Sequence, residues 1–175
     1  SESFEVLVGN NDPSENHLLL DLKSRFHFEY TLFTKNDGFG TAANKLSRRA
    51  RGKYLIFLNP DARILSGNLS RLSLAFEKNL SLGAIGFRLL VEPERDQQWG
   101  FGTAVSLLRI IMNHLLPPKA KPSRRNIFRV DWVSGGAFSI PRELFFRIHG
   151  FDERFFLYYE DVDLCQRLQK YGKKI

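Results

Sequence analysis

Cysteine is almost missing from this chain. The single Cys165 among 175 residues excludes an internal disulfide and leaves no second thiol to share a metal site. A reducing, cytoplasmic compartment is therefore expected. Long apolar runs are absent as well: none approaches the roughly 20 residues that cross a bilayer, and the N-terminus lacks the charged-then-apolar pattern of a signal peptide. A soluble chain is expected. No pair among His17, His27, His114 and His149 has ligand spacing, so no zinc site is expected. Acids are missing from Gln97 to Val130, where Arg109, Lys119, Lys121, Arg124, Arg125 and Arg129 carry most of the net charge of +7. Such a stretch suits anionic partners, phosphates or lipid heads, or is simply a solvated loop. It has no aromatic-interleaved sheet motif, so nucleic acid is not an expected partner.

What is present describes one domain. At 43% apolar residues, a chain of this length supports a single core spanning 1–175. Phe4 to Val8 is a β-branched apolar run followed by turn chemistry, Gly9-Asn10-Asn11-Asp12-Pro13. Asp12 is placed to cap a helix with Pro13 at its first position and Glu15 closing a capping box, and Leu18, Leu22 and Phe26 repeat at helical spacing. A strand over 28–33 meets the loop 34–40, and Ala42, Leu46 and Ala50 mark a second helix stopped by Gly52. Tyr54 to Leu58 does not alternate, the pattern of a strand covered on both faces. A helix on Leu69, Leu72 and Phe76, a strand over 84–91, a strand over 132–140 and a helix from Pro141 to Gly150 follow. Strands and helices alternate, so an α/β layered fold is expected.

In such folds ligands bind beyond the carboxyl ends of the strands, where the loops Asn10 to Asp12, Asn36 to Gly40 and Asn59 to Asp61 would gather. Gly38-Phe39-Gly40 leads into a helix N-terminus, which suits a phosphate or a base held against the backbone, although glycine there also serves an ordinary tight turn. Asp61 is the metal-ligand candidate: Mg²⁺ or Mn²⁺ needs only one or two protein oxygens when substrate phosphates complete its shell. The competing role for Asp61 is to cap the next turn.

Glu160, Asp161 and Asp163 put three acids in four residues after an aromatic run. Acids there stabilise a helix N-terminus, and a carboxylate in the same place can take a proton from a substrate hydroxyl. Asp163 is expected to pair with Arg167 one turn on. Trp132, Trp99 and Tyr159 could stack on a sugar ring or a base, but aromatics are more often core, and only Trp132 is taken as a candidate. Cys165 reads as a buried, inert thiol.

Taken together, NNDPSE, NDGFGTAAN, YLIFLNPDA, VDWVSGGAFSIPRE and GFDERFFLYYEDVDLCQRLQKYG resemble the inverting glycosyltransferase family 2, its rhamnosyltransferase-like members above all. The resemblance implies the GT-A fold, a three-layer α/β sandwich on a mainly parallel mixed sheet. It also implies a dTDP- or UDP-sugar donor, a divalent metal (Mg²⁺ or Mn²⁺) and displacement with inversion. Matched residue by residue, it implies Asp161 as catalytic base with Glu160 beside it, and Asp61 with Asn59 at the metal and diphosphate. It further implies Asn10, Asn36, Gly38, Phe39 and Asn44 at the donor, and Gly135 and Gly136 after Trp132 at the donor-sugar and acceptor turn.

On this reading 1–96 is the donor half, 97–130 a basic loop and 131–175 the acceptor half. The acceptor class implied is a cell-envelope polysaccharide or lipid-linked glycan at the inner face of the membrane, with the basic loop available for peripheral contact and a homodimer left open. The family commonly opens with a strand upstream of FEVLV, which is expected to be lacking here, and places an acid where this chain has Gly9. The competing expectation is a glycosyltransferase-like scaffold without activity.

Overall fold

The computed structural model describes residues 3–65, 68–92, 95–97, 100–103 and 127–175. Trp99 and the basic residues from Arg109 to Arg125 lie outside them. β1 (Leu7–Asn10) leads through a 3-10 turn (Pro13–Glu15) to α1 (Asn16–Arg25) and then β2 (Glu29–Leu32), which pairs with β1 in parallel register, Leu7 opposite Glu29 and Asn10 opposite Leu32. α2 (Phe39–Ser47), β3 (Tyr54–Leu58), α3 (Leu69–Lys78), β4 (Ile85–Gly86), β5 (Leu90–Glu92), β6 (Arg95–Asp96) and β7 (Phe101–Gly102) follow. The chain then forms β8 (Trp132–Val133), β9 (Ala137–Pro141), α4 (Arg142–Arg147) and α5 (Glu160–Lys170). A second sheet runs β3-β9-β4, antiparallel throughout, and two short antiparallel ladders join β5 to β6 and β7 to β8. The fold is thus mixed α/β, with both parallel and antiparallel ladders.

β9 explains where the core sits. Its burial is almost continuous, Phe138 and Ile140 lying at 1% and 0% exposure, because β3 and β4 cover its edges while α4 and α5 supply the apolar cluster. Leu164 and Leu168 of α5, four apart on one face as expected from helical spacing, are fully buried. Phe57, Phe138, Phe145 and Phe151 pack ring on ring, with Phe57 5.0 Å from Phe138 and 5.2 Å from Phe151. Each such ring brings roughly 1.5–3 kcal/mol of burial, so this cluster anchors the site-bearing half.

Several boundaries differ from the sequence expectations. α2 stops at Ser47, well before Gly52, because Arg48, Arg49 and Ala50 close tight turns onto Asn44, Leu46 and Ser47. The expected strand over 84–91 is broken into β4 and β5, and that over 132–140 into β8 and β9 by a turn at Gly135-Gly136. β3 is not covered on both faces: Ile56 and Leu58, two apart and so on one face, are 41% and 42% exposed, whereas Leu55 on the other is buried; along its edges β3 pairs with β9 alone among the described residues. β1 likewise pairs with β2 alone among them. Glu5 bridges the starts of the two sheets, its carboxylate accepting the backbone N–H groups of Arg51 and Gly52 at 2.6 and 2.9 Å. Leu22 of α1 and Phe26 just beyond its end are exposed, so the stripe predicted there does not form core at those positions.

Candidate functional site

The turn at Gly135-Gly136 is where separate parts of the chain meet. The backbone N–H of Gly135 donates to Oδ2 of Asp161 at 2.7 Å, which fixes the carboxylate at the start of α5; its other oxygen accepts from Val162 N–H at 2.7 Å. On the other side, Asn59 N–H donates to the Gly136 carbonyl at 2.9 Å, so the loop after β3 is tied to the same two residues. Cβ atoms added to the two glycines would sit 3.4 Å from the Phe39 ring and 3.8 Å from Asn59 Nδ2, respectively. Asp161, Asn59 and Phe39 therefore surround one two-residue turn.

Asp61 lies three residues beyond β3 and is exposed. Its carboxylate has no hydrogen-bond partner among the described residues, so the turn-capping alternative is unfilled; the Ala62 N–H goes to the Asn59 carbonyl instead, at 3.0 Å. An unengaged carboxylate two residues after an Asn, whose amide oxygen can also ligate, is a donor set that suits a hard cation completing its shell with phosphate oxygens and water. Among the described residues no three metal-ligating side chains gather, so protein ligands alone would not cage an ion here.

The loops expected at the donor are more self-contained than the sequence suggests. Asn36 Oδ1 accepts Gly38 N–H at 3.0 Å, and Asn10 Oδ1 accepts Asp12 N–H at 2.8 Å while its amide reaches Tyr30 Oη at 3.3 Å. The first amide of α2, Phe39 N–H, is already engaged by the Phe156 carbonyl at 3.3 Å. Gly38 adopts φ +89°, and a Cβ there would fall 2.1 Å from that same carbonyl oxygen, so glycine is required both for conformation and for space. Asn11, which sequence reasoning left unassigned within its loop, donates to the Gly38 carbonyl at 3.5 Å, and its Oδ1 is buried without a partner.

Three expected site residues make structural contacts. Asn44 is 5% exposed; its amide donates to Phe151 O and Glu153 Oε1 at 2.8 and 3.0 Å, and its Oδ1 accepts Phe151 N–H at 2.9 Å. It fastens the 150–153 loop to α2, because it shares the small-residue stripe with Gly40, Ala43 and Ser47 that faces inward. Trp132 lays its indole against Gly102, where a Cβ would meet the ring at 2.6 Å, and donates to Thr103 O at 3.3 Å. Its contacts among the described residues are packing contacts. Glu160, expected beside Asp161 at the site mouth, is 5% exposed and turned under Gly40, with Oε2 buried and unpartnered. Burial is the main force pushing its pKa above the ordinary Glu range; the Asp161 charge adds to this, and a hydrogen bond from its own N–H opposes it.

Asp163 pairs with Arg167 at 2.7 Å as the spacing requires, and burial pushes the Cys165 thiol up to about 12, leaving it protonated and inert. The aromatics that do face solvent beside Asp161 are Phe156, Tyr158 and Tyr159, at 58%, 71% and 66% exposure. Both tyrosines hold left-handed backbone, φ +68° and +69°.

Residues 1–162 match the profile of Glycosyl transferase family 2. The N-acetylglucosaminyl-diphospho-decaprenol L-rhamnosyltransferase of Mycobacterium tuberculosis is 32% identical over 162 residues, covering 78% of this chain and 52% of that protein. Rhamnosyltransferase WbbL of Escherichia coli is 29% identical over 136 residues, covering 73% and 50%. The chain thus spans about half the length of the curated relatives it matches. Among solved structures, GalNAc-T7 with UDP, GalNAc and Mn²⁺ superposes with a TM-score of 0.67 at 15% identity, over 97% of this chain and 35% of that one. That likeness is one of fold, and the fold is GT-A.

Proposed function

Because the chain belongs to glycosyl transferase family 2, we propose that it moves a sugar, rhamnose in the reading favoured by its relatives, from a dTDP- or UDP-linked donor to a hydroxyl of a cell-envelope glycan or lipid-linked acceptor. The observation that carries this reading is the turn at Gly135-Gly136, which holds Asp161 on one side and the Asn59 loop on the other. Asp161 is the one carboxylate of its pair with access to a substrate. It takes the proton of the acceptor hydroxyl as that oxygen attacks the anomeric carbon; the bond from that carbon to the diphosphate breaks with its electron pair on the leaving oxygen, and the configuration inverts.

Gly135 N–H aims the carboxylate, and Glu160 beneath it is a positioning residue that keeps the α5 start packed under α2. Asn59 and Asp61 would hold the divalent ion, Mg²⁺ or Mn²⁺, which when bound neutralises charge on the departing diphosphate. Association is expected to be peripheral, at the inner face of the membrane; no helix among the described residues is long and apolar enough to cross one.

Calorimetric titration with dTDP and UDP, each with and without Mn²⁺, tests the reading, with Asp61→Ala as control. Metal-dependent binding lost in the control is the expected result. A folded sample that binds neither nucleotide overturns the enzyme reading and favours the scaffold.

A further inference from the structure

The four residues before Glu160 form an exposed aromatic segment, Phe156-Leu157-Tyr158-Tyr159, each more than half exposed. It is fixed at both ends. The Phe156 carbonyl accepts from Phe39 at the start of α2, while Tyr159 leads directly into α5, where Asp161 is held by Gly135. Between these anchors two consecutive tyrosines sit in left-handed backbone, a conformation disfavoured for any residue with a side chain. Such strain persists only where surrounding contacts over-determine it. It keeps the two rings in solvent instead of in the adjoining phenylalanine cluster, and neither hydroxyl has a partner among the described residues.

The charge around the rings narrows what can cover them. Of the five acids in residues 152–163, Asp152, Glu153 and Asp163 pair with Arg154, Arg48 and Arg167 and Glu160 is buried, so Asp161 is the carboxylate open beside the rings. The one base of the segment, Arg154, is held by Asp152 at 2.6 Å. The segment therefore offers no free cation to an anionic lipid surface, and it suits a neutral, hydroxyl-rich ring. Tyrosine suits that ligand: an apolar face for the C–H side of a pyranose, and a hydroxyl for its edge.

We propose that Tyr158 and Tyr159 form the platform for the acceptor's terminal saccharide, presenting its hydroxyl to Asp161. This rests on the transferase reading and assigns the acceptor contact to these tyrosines rather than to Trp132.

Saturation-transfer NMR with a short-alkyl N-acetylglucosaminyl diphosphate probes it on the whole chain, comparing wild type with Tyr158→Ala, Tyr159→Ala and the Phe variants of both. The expected result is saturation of sugar-ring protons in wild type, weakened roughly tenfold in apparent affinity by either Ala change and largely kept by Phe, with the Kd for dTDP or UDP unchanged. Sugar saturation that is absent in wild type or untouched by both Ala changes overturns the platform. So does loss of binding to anionic phosphatidylglycerol vesicles in the same variants with sugar saturation intact, which would make the segment a membrane contact. Nucleotide titration reads the transferase assignment separately, so Tyr-dependent sugar saturation without nucleotide binding would sink that assignment and leave the platform standing.

Discussion

The carbonyl oxygen of Phe156 occupies the space that a side chain on Gly38 would need, 2.1 Å from its Cβ position, and it also accepts the first amide of α2. The loop before α2 and the segment before α5, 118 positions apart in sequence, are therefore in backbone contact, and glycine at 38 is the condition for it.

Gly38→Ala is expected to cost about 1–3 kcal/mol from its backbone alone, since φ +89° with ψ 172° is a region that glycine alone enters readily, and more because Phe156 must move. Gly172→Ala is the control: it has a similar φ of +73° but nothing within 4 Å of the new atom. Urea unfolding of both should show the larger loss at position 38, accompanied there by a change in tyrosine near-ultraviolet circular dichroism. Equal losses and unchanged spectra would mean that the Phe156 contact yields freely.

Asp161→Asn should lower turnover by about 10²–10⁴, the usual range for general-base assistance, while nucleotide Kd stays put. Steady-state transfer assays next to calorimetry measure both. Full turnover in this variant would remove Asp161 from the chemistry.

For Glu160 the sign of the pH effect follows from burial, which raises its folded pKa above the ordinary Glu range. Its contribution to stability is complete below the unfolded pKa and is lost as pH climbs through the folded pKa, when charge is forced on a buried group. Glu160→Gln removes that loss, so its advantage over wild type should grow with pH, by at most about 1.4 kcal/mol per unit for one proton. Denaturant midpoints across a pH series would expose a flat difference if the carboxyl is in fact solvated.

Asn44→Ala strips three hydrogen bonds from the 150–153 loop and leaves the Phe151 amide and carbonyl without them. A loss of about 2–4 kcal/mol is expected, read from urea unfolding. A variant as stable as wild type but unable to bind nucleotide would return Asn44 to the donor site.

How far these roles were legible in sequence depended on whether they were local. The stripe Leu164 and Leu168, the Asp163–Arg167 pair, the inert Cys165 and the stop at Gly172 all follow from spacing along one helix, and the structure has them. The Gly135-Gly136 turn was legible from its small residues and the resemblance, but the strand expected over 132–140 ran through it, because Val133, Phe138 and Ile140 read as one apolar run across the two glycines. Asn44 had a readable signal, its place among Gly40, Ala43 and Ser47 on one helical face; such a stripe packs closely and turns its Asn inward. Trp132 and Glu160 depended on long-range packing that no local pattern carries. The left-handed tyrosines run against every backbone preference and could be found only in three dimensions.

The two sheets joined at Glu5 have a practical side. β1 and β3 each present an edge of backbone N–H and C=O groups that no described residue pairs, and along β3 the apolar Ile56 and Leu58 stand open beside it. Edges of this kind are templates for strand addition. Binding constants for this chain are therefore to be measured over a dilution series, which separates ligand binding from any pairing of these edges.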